Sequence, residues 1–118
     1  MVKQKDVPIG EYVREVRESL GISLRQFAVQ IGKTPTFVSR FERDDDVAPS
    51  EETLQTIAKA LHIDADNLVF RANKVPADLP KIVQQQPVAM AALLRTAQNL
   101  TPDQLQKLTE YARKQTEK

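Results

Sequence analysis

The side chains that could do chemistry in this chain of 118 residues are few and unevenly placed. There is no cysteine, so neither a disulfide framework nor a thiolate metal site can form, and a single histidine, His62, is too little for most metal or general-base chemistry. The run Asp44, Asp45, Asp46 resembles the opening of a calcium loop only superficially, since no glycine stands at its sixth position and no glutamate at its twelfth. No nucleophile is matched to a base and no glycine loop could cradle phosphate, so an enzyme is not expected, nor a metal or cofactor. The stretch that carries a signal is Ser23 to Glu42, SLRQFAVQIGKTPTFVSRFE, in which polar and cationic residues alternate with helix caps and turn residues.

The elements that must position this stretch are helical. No run of Val, Ile, Thr and aromatics alternates with period two over a useful length, whereas spacings of three and four recur throughout, which predicts an all-α fold. Ile9, Val13, Val16 and Leu20 share one face of a first helix running from about Ile9 to Leu20, with Arg14, Arg17 and Glu18 facing water. The three glycines, Gly10, Gly21 and Gly32, read as punctuation between short helices. Ser23 caps a second helix and Gln26, three residues on, completes a capping box; Phe27, Ala28 and Ile31 form its buried face and Gly32 ends it. Thr34 caps a third helix whose first residue is Pro35, where a missing amide hydrogen costs nothing, and Val38 and Phe41 point inward from it. Beyond a polar loop from Arg43 to Pro49, Ser50 caps a fourth helix with the apolar stripe Leu54, Ile57, Ala58 and Leu61, past which His62 reads as helix-end packing. Asp64 caps a fifth helix, Ala65 to about Arg71, with Leu68 and Val69 in the core.

Hydrophobic residues make up 41% and charged residues 28%, enough for one modest core. The net charge of +1 names no polyanionic partner, and it divides into −2 over residues 1–72 and +3 over residues 73–118. A nucleic-acid surface in the first part must therefore be local. Geometry permits one there: two short helices joined through a glycine turn cross steeply, leaving the second exposed, and a helix about 10 to 12 Å across fits a major groove about 12 Å wide.

At these residues the chain resembles the Xre-type and phage-repressor (lambda-repressor-like) helix-turn-helix regulators. The likeness runs from about Ile9 to Phe70 and rests on the Ser-x-x-Gln-Phe-Ala opening at Ser23, the glycine nine residues later, the Thr-Pro-Thr-Phe-Val-Ser-Arg-Phe-Glu helix and the Pro-Ser-x-x-Thr-Leu approach at Pro49. The resemblance implies a five-helix DNA-binding domain over residues 1–72 and sequence-specific binding to double-stranded DNA. Carried over by position, it presents Pro35, Thr36, Ser39 and Arg40 to base edges, Arg40 as a bidentate partner for guanine and Thr36 with a methyl for thymine. Arg25, Gln26, Lys33 and Thr34, with backbone amides at the helix starts, are expected to grip phosphate. Two departures stand out. Leu24 occupies a position where many relatives have glutamine, and Asp44, Asp45 and Asp46 follow the third helix where relatives commonly have glycine, so this loop either points away from the duplex or limits nonspecific affinity.

Residues 73–80, NKVPADLP with two prolines, read as a linker, and residues 81–118 as a C-terminal helical extension. Lys81 to Gln86 is expected to form a turn or more before Pro87, Val88 to Gln98 a helix, and Thr101-Pro102-Asp103 the start of a last one. Met90, Leu93, Leu94, Leu100, Leu105, Leu108 and Tyr111 give the extension more apolar surface than two isolated helices can hide, so it folds back on the first domain or meets a partner. A homodimer formed through it would set two recognition helices about 34 Å apart on a palindromic operator, as a repressor requires. The competing expectation is an antitoxin or adaptor whose extension engages a toxin or protease, with DNA binding for autoregulation. No apolar run reaches the roughly 20 residues of a membrane span and the start lacks the apolar core of a secretion signal, so the expected location is cytoplasmic.

Overall fold

The computed structural model describes residues 7–43 and 47–117. Among them are eight helices and no strand: α1 (Ile9–Ser19), α2 (Leu24–Ile31), α3 (Pro35–Glu42), α4 (Glu51–Leu61), α5 (Ala65–Arg71), α6 (Asp78–Gln85), α7 (Pro87–Ala97) and α8 (Pro102–Thr116). The chain divides into two compact units, Met1–Pro76 and Ala77–Lys118.

The N-terminal unit holds α1 to α5 around one core. Val13, Phe27, Val38, Leu54, Ile57, Leu68 and Val69 are fully buried at its centre, with Tyr12, Ile31, Phe41 and Leu61 around them. The predicted stripes of α2, α4 and α5 lie inward as expected. The first helix is rotated relative to its predicted face. Tyr12 and Arg17 are buried, whereas Leu20 is 46% exposed beyond the helix end. Arg17, predicted to face water, lies inside because it meets an acidic partner there, Glu42 at the end of α3.

Each short helix is bounded by local chemistry. Ser50 and Asp64 accept hydrogen bonds from the amides of Thr53 and Asn67, capping α4 and α5. Helix α4 ends at His62, whose φ of 59° is left-handed. The residue is exposed, so its backbone conformation and not ring packing terminates the helix. Asn73, at φ 60°, follows α5 in the same conformation, which asparagine tolerates better than most residues. Gly21 (φ 71°) and Gly32 (φ 70°) are the punctuating glycines the sequence predicts. Gly10 is not one of them: it lies inside α1, where a Cβ would collide with the carbonyl oxygen of Phe41, so its role is to let α1 approach the end of α3.

The C-terminal unit holds α6, α7 and α8. Helix α6 begins at Asp78, inside the stretch 73–80 that the sequence predicts as a linker. Pro80 does not prevent this, because it occupies the first turn, where backbone N–H groups have no partner within the helix. Gln86, at φ −145° and ψ 71°, separates α6 from α7 ahead of Pro87. Thr101 and Gln104 form a capping box at the start of α8. None of these three helices contains a buried residue.

Candidate nucleic-acid interface

The segment from α2 to α3 is fixed by its own hydrogen bonds before any packing is considered. The Ser23 hydroxyl accepts from the Gln26 amide at 3.1 Å while Gln26 Oε1 accepts from the Ser23 amide at 2.9 Å. At the other end the Lys33 amide donates to the Ala28 carbonyl at 2.9 Å across the left-handed Gly32, closing α2 within one residue. Thr34 then accepts from the Phe37 amide at 3.0 Å and Pro35 opens α3. Two helices of eight residues are thus joined by a short glycine-containing turn of the length a helix-turn-helix uses.

Helix α3 is held along one side only. Val38 and Phe41 are buried in the core, and Phe37 is half-buried with its ring stacked on Phe41 at 6.4 Å between centroids. The far end is pinned by a buried ion pair. Arg17 Nε and Nη2 donate to the two carboxylate oxygens of Glu42 at 2.7 and 2.9 Å, and Nη1 donates to the Ile22 carbonyl at 2.8 Å. One guanidinium therefore ties together α1, the α1–α2 turn and the last residue of α3. The hydrogen bonds to Glu42 raise the Arg17 pKa above the ordinary arginine value, against the opposing effect of burial. A raised value means that this stabilisation is complete throughout neutral pH and is lost only as pH climbs past the arginine range.

The opposite side of α3 is open. Pro35, Thr36 and Arg40 are exposed and Ser39 is half-buried. Arg25, Gln26, Lys33 and Thr34 are also exposed, and Lys33 Nζ lies 5.3 Å from the Phe37 ring centroid. The structure brings four of these eight predicted site residues together: Arg25, Pro35, Thr36 and Ser39 line one shallow depression of about 460 Å³ between α2 and α3. Gln26, Lys33, Thr34 and Arg40 are outside its lining. Leu24 and Arg43 complete it, and neither belongs to the predicted site. The signal for Arg43 is its spacing, seven residues after Thr36 and four after Ser39, which continues their helical row into the C-cap position. The run Asp44, Asp45 and Asp46, with the expectation attached to it, lies outside the described residues.

A pair of short helices crossing through a left-handed glycine, with the second anchored by its inner face and its leading end bare, is a helix-turn-helix. Residues 13–68 match the family model described as Helix-turn-helix, and this part of the chain is similar to the Xre-type, lambda-repressor-like regulators of that kind. Two uncharacterized HTH-type transcriptional regulators, from the CDC 1551 and H37Rv strains of Mycobacterium tuberculosis, are each 39% identical over 63 residues. Those residues are 53% of this chain and 44% of each relative, so the chain spans less than half the length of the proteins it matches. Among solved structures, a SinR protein/SinI protein complex is similar in fold, with a TM-score of 0.50 at 17% identity over 93% of this chain and 99% of the other. The clp gene regulator ClgR from Corynebacterium glutamicum is 22% identical over 76% of this chain and 89% of its own, with a TM-score of 0.49.

Proposed function

We propose that the chain is a sequence-specific regulator of transcription that binds double-stranded DNA with α3 in the major groove. The observation that carries this reading is the bare leading end of α3, capped by Thr34 and Pro35 and bordered by Arg25 of α2. Pro35, Thr36, Ser39 and Arg40 face base edges, and Arg25, Gln26, Lys33 and Thr34 hold phosphate. The caps leave this chemistry available. A threonine hydroxyl that accepts from Phe37 still has a hydrogen to donate, and the Gln26 cap engages Oε1, not the amide nitrogen.

The regulator acts as a repressor, a homodimer on a palindromic operator that excludes polymerase by occupancy. Dimerisation runs through the C-terminal unit, where Ile82, Val88, Leu93, Leu94, Leu105, Leu108 and Tyr111 are exposed. Such a surface needs a covering partner, and a second copy doubles the number of bound half-sites. The same exposed side chains support a second reading, an adaptor or antitoxin whose unit captures a toxin or protease.

Selection of bound sites from random duplex DNA, combined with the mass of the full chain by light scattering, tests both. The expected outcome is a symmetric motif with half-sites about ten base pairs apart and a doubled mass. An asymmetric or absent motif overturns the operator reading, and a monomer that acquires a second protein favours the adaptor. In the selected site, Arg40→Ala should weaken binding by roughly tenfold or more while leaving nonspecific affinity nearly unchanged. Equal affinity of this variant for the selected site removes Arg40 from the readout.

A further inference from the structure

The depression beside α3 sets apolar side chains next to a hydroxyl and two cations. Leu24 is half-buried, packed against the hydrophobic core, and so is held in place. Pro35 offers neither an amide hydrogen nor a polar side chain, and Thr36 adds a methyl. Ser39 stands beside them with a hydroxyl, and Arg25 and Arg43 complete the lining with two cations. A polar group pressed against Leu24 and Pro35 would lose water without gaining a partner. Among the bases of unmodified DNA, only thymine presents an apolar group in the major groove, its 5-methyl, and next to that methyl it presents O4, an acceptor.

We infer that Leu24, Pro35 and Thr36 receive the 5-methyl group of a thymine in each half-site, with Ser39 donating to its O4. Arg25 and Arg43 hold the phosphates on either side. The inference rests on the reading of α3 as the groove-binding helix and names what that helix selects. It makes Leu24, where many relatives have glutamine, a specificity determinant and adds Arg43 to the phosphate contacts. The 5-methyl group of a modified cytosine has the same apolar character, but its base carries an amino donor where thymine has O4, and thymine is the better match to a serine hydroxyl that donates.

The test uses the full chain and its selected duplex. Selection should return an invariant thymine in each half-site, and replacing it by deoxyuridine, which lacks only the methyl, should weaken binding about fourfold per half-site, the scale of one buried methyl. The Leu24→Gln protein should bind the thymine and deoxyuridine duplexes alike. Because the base replacement is made with the unaltered protein, it decides the matter even if that variant folds poorly. Equal binding of the two duplexes by the unaltered protein, or half-sites without a fixed thymine, overturns the inference while leaving DNA binding intact. Tighter binding of a 5-methylcytosine duplex than of thymine overturns the choice of base. Failure to select any site overturns the groove-binding reading and this inference with it.

Discussion

Helix α2 in the N-terminal unit and helix α8 in the C-terminal unit begin with the same device. Ser23 and Gln26 in one, Thr101 and Gln104 in the other, exchange the same two hydrogen bonds at 3.1 and 2.9 Å. Beyond their caps the two helices part ways. Phe27, Ala28 and Ile31 of α2 enter a core to which every helix of that unit contributes, whereas α8 runs for 15 residues without one that is buried. A cap decides where a helix starts, and burial decides whether the helix belongs to a domain. The two units are therefore alike as local structure and unlike as tertiary structure. The N-terminal unit positions a surface, and the C-terminal unit is itself largely surface.

The largest effect that separates the units should come from the ion pair between Arg17 and Glu42, whose side chains are only 8% and 4% exposed. Glu42→Ala leaves a buried guanidinium without its carboxylate and should cost about 3 to 5 kcal/mol in urea unfolding of the full chain. The expected accompaniment is weaker specific DNA binding at concentrations where the protein is still folded, because the end of α3 is no longer tied to α1. A loss below about 1 kcal/mol would mean that apolar packing alone fixes α3, and the contrast drawn between the units would lose its polar half.

This pair also marks how far the sequence could be read. Caps and stripes are local, so Ser23 with Gln26, Thr34 with Pro35, and the inward row Leu54, Ile57, Ala58 and Leu61 are all visible in a short window of residues. Arg17 and Glu42 are 25 residues apart, and nothing on the helical wheel of α1 distinguishes a buried arginine from a solvated one. Gly10 misleads for the same reason: the atom that forbids a side chain there belongs to Phe41, on another helix. The site divides likewise. Thr36, Ser39 and Arg40 follow from the position of a helix and Arg43 extends their row, but Leu24, on α2, joins the surface only once α2 and α3 have packed together.

A middle-sized effect compares the caps directly. Thr34→Ala and Thr101→Ala each remove one hydroxyl acceptor, from the Phe37 and Gln104 amides respectively. Loss of a threonine cap costs about 0.5 to 2 kcal/mol. In the N-terminal unit that loss should appear in the cooperative urea transition, because α3 is locked into the core. For α8 it should appear as local fraying, read by faster amide exchange in its first turn, with the transition of the N-terminal unit unmoved. Equal shifts of the main transition in both variants would make the two units one cooperative body and erase the distinction.

The smallest effect should be the same in both units, and that sameness isolates burial as the cause of the larger differences. Arg14 and Glu18 of α1 form a pair at 3.5 Å with side chains 55% exposed; Lys107 and Asp103 of α8 form one at 3.4 Å with side chains 75% and 76% exposed. Each spans one helical turn, so water and salt screen it and the entropy of two long side chains opposes it. Double-mutant cycles should give about 0.3 to 0.5 kcal/mol for either pair at low salt, approaching zero at 1 M, read from unfolding for the first and from amide exchange in α8 for the second. A coupling several times larger for Lys107 and Asp103 would place them in a shielded environment. That would happen if a partner covers this face of α8 in solution, so salt dependence at one exposed pair also reports on the occupancy of the C-terminal unit.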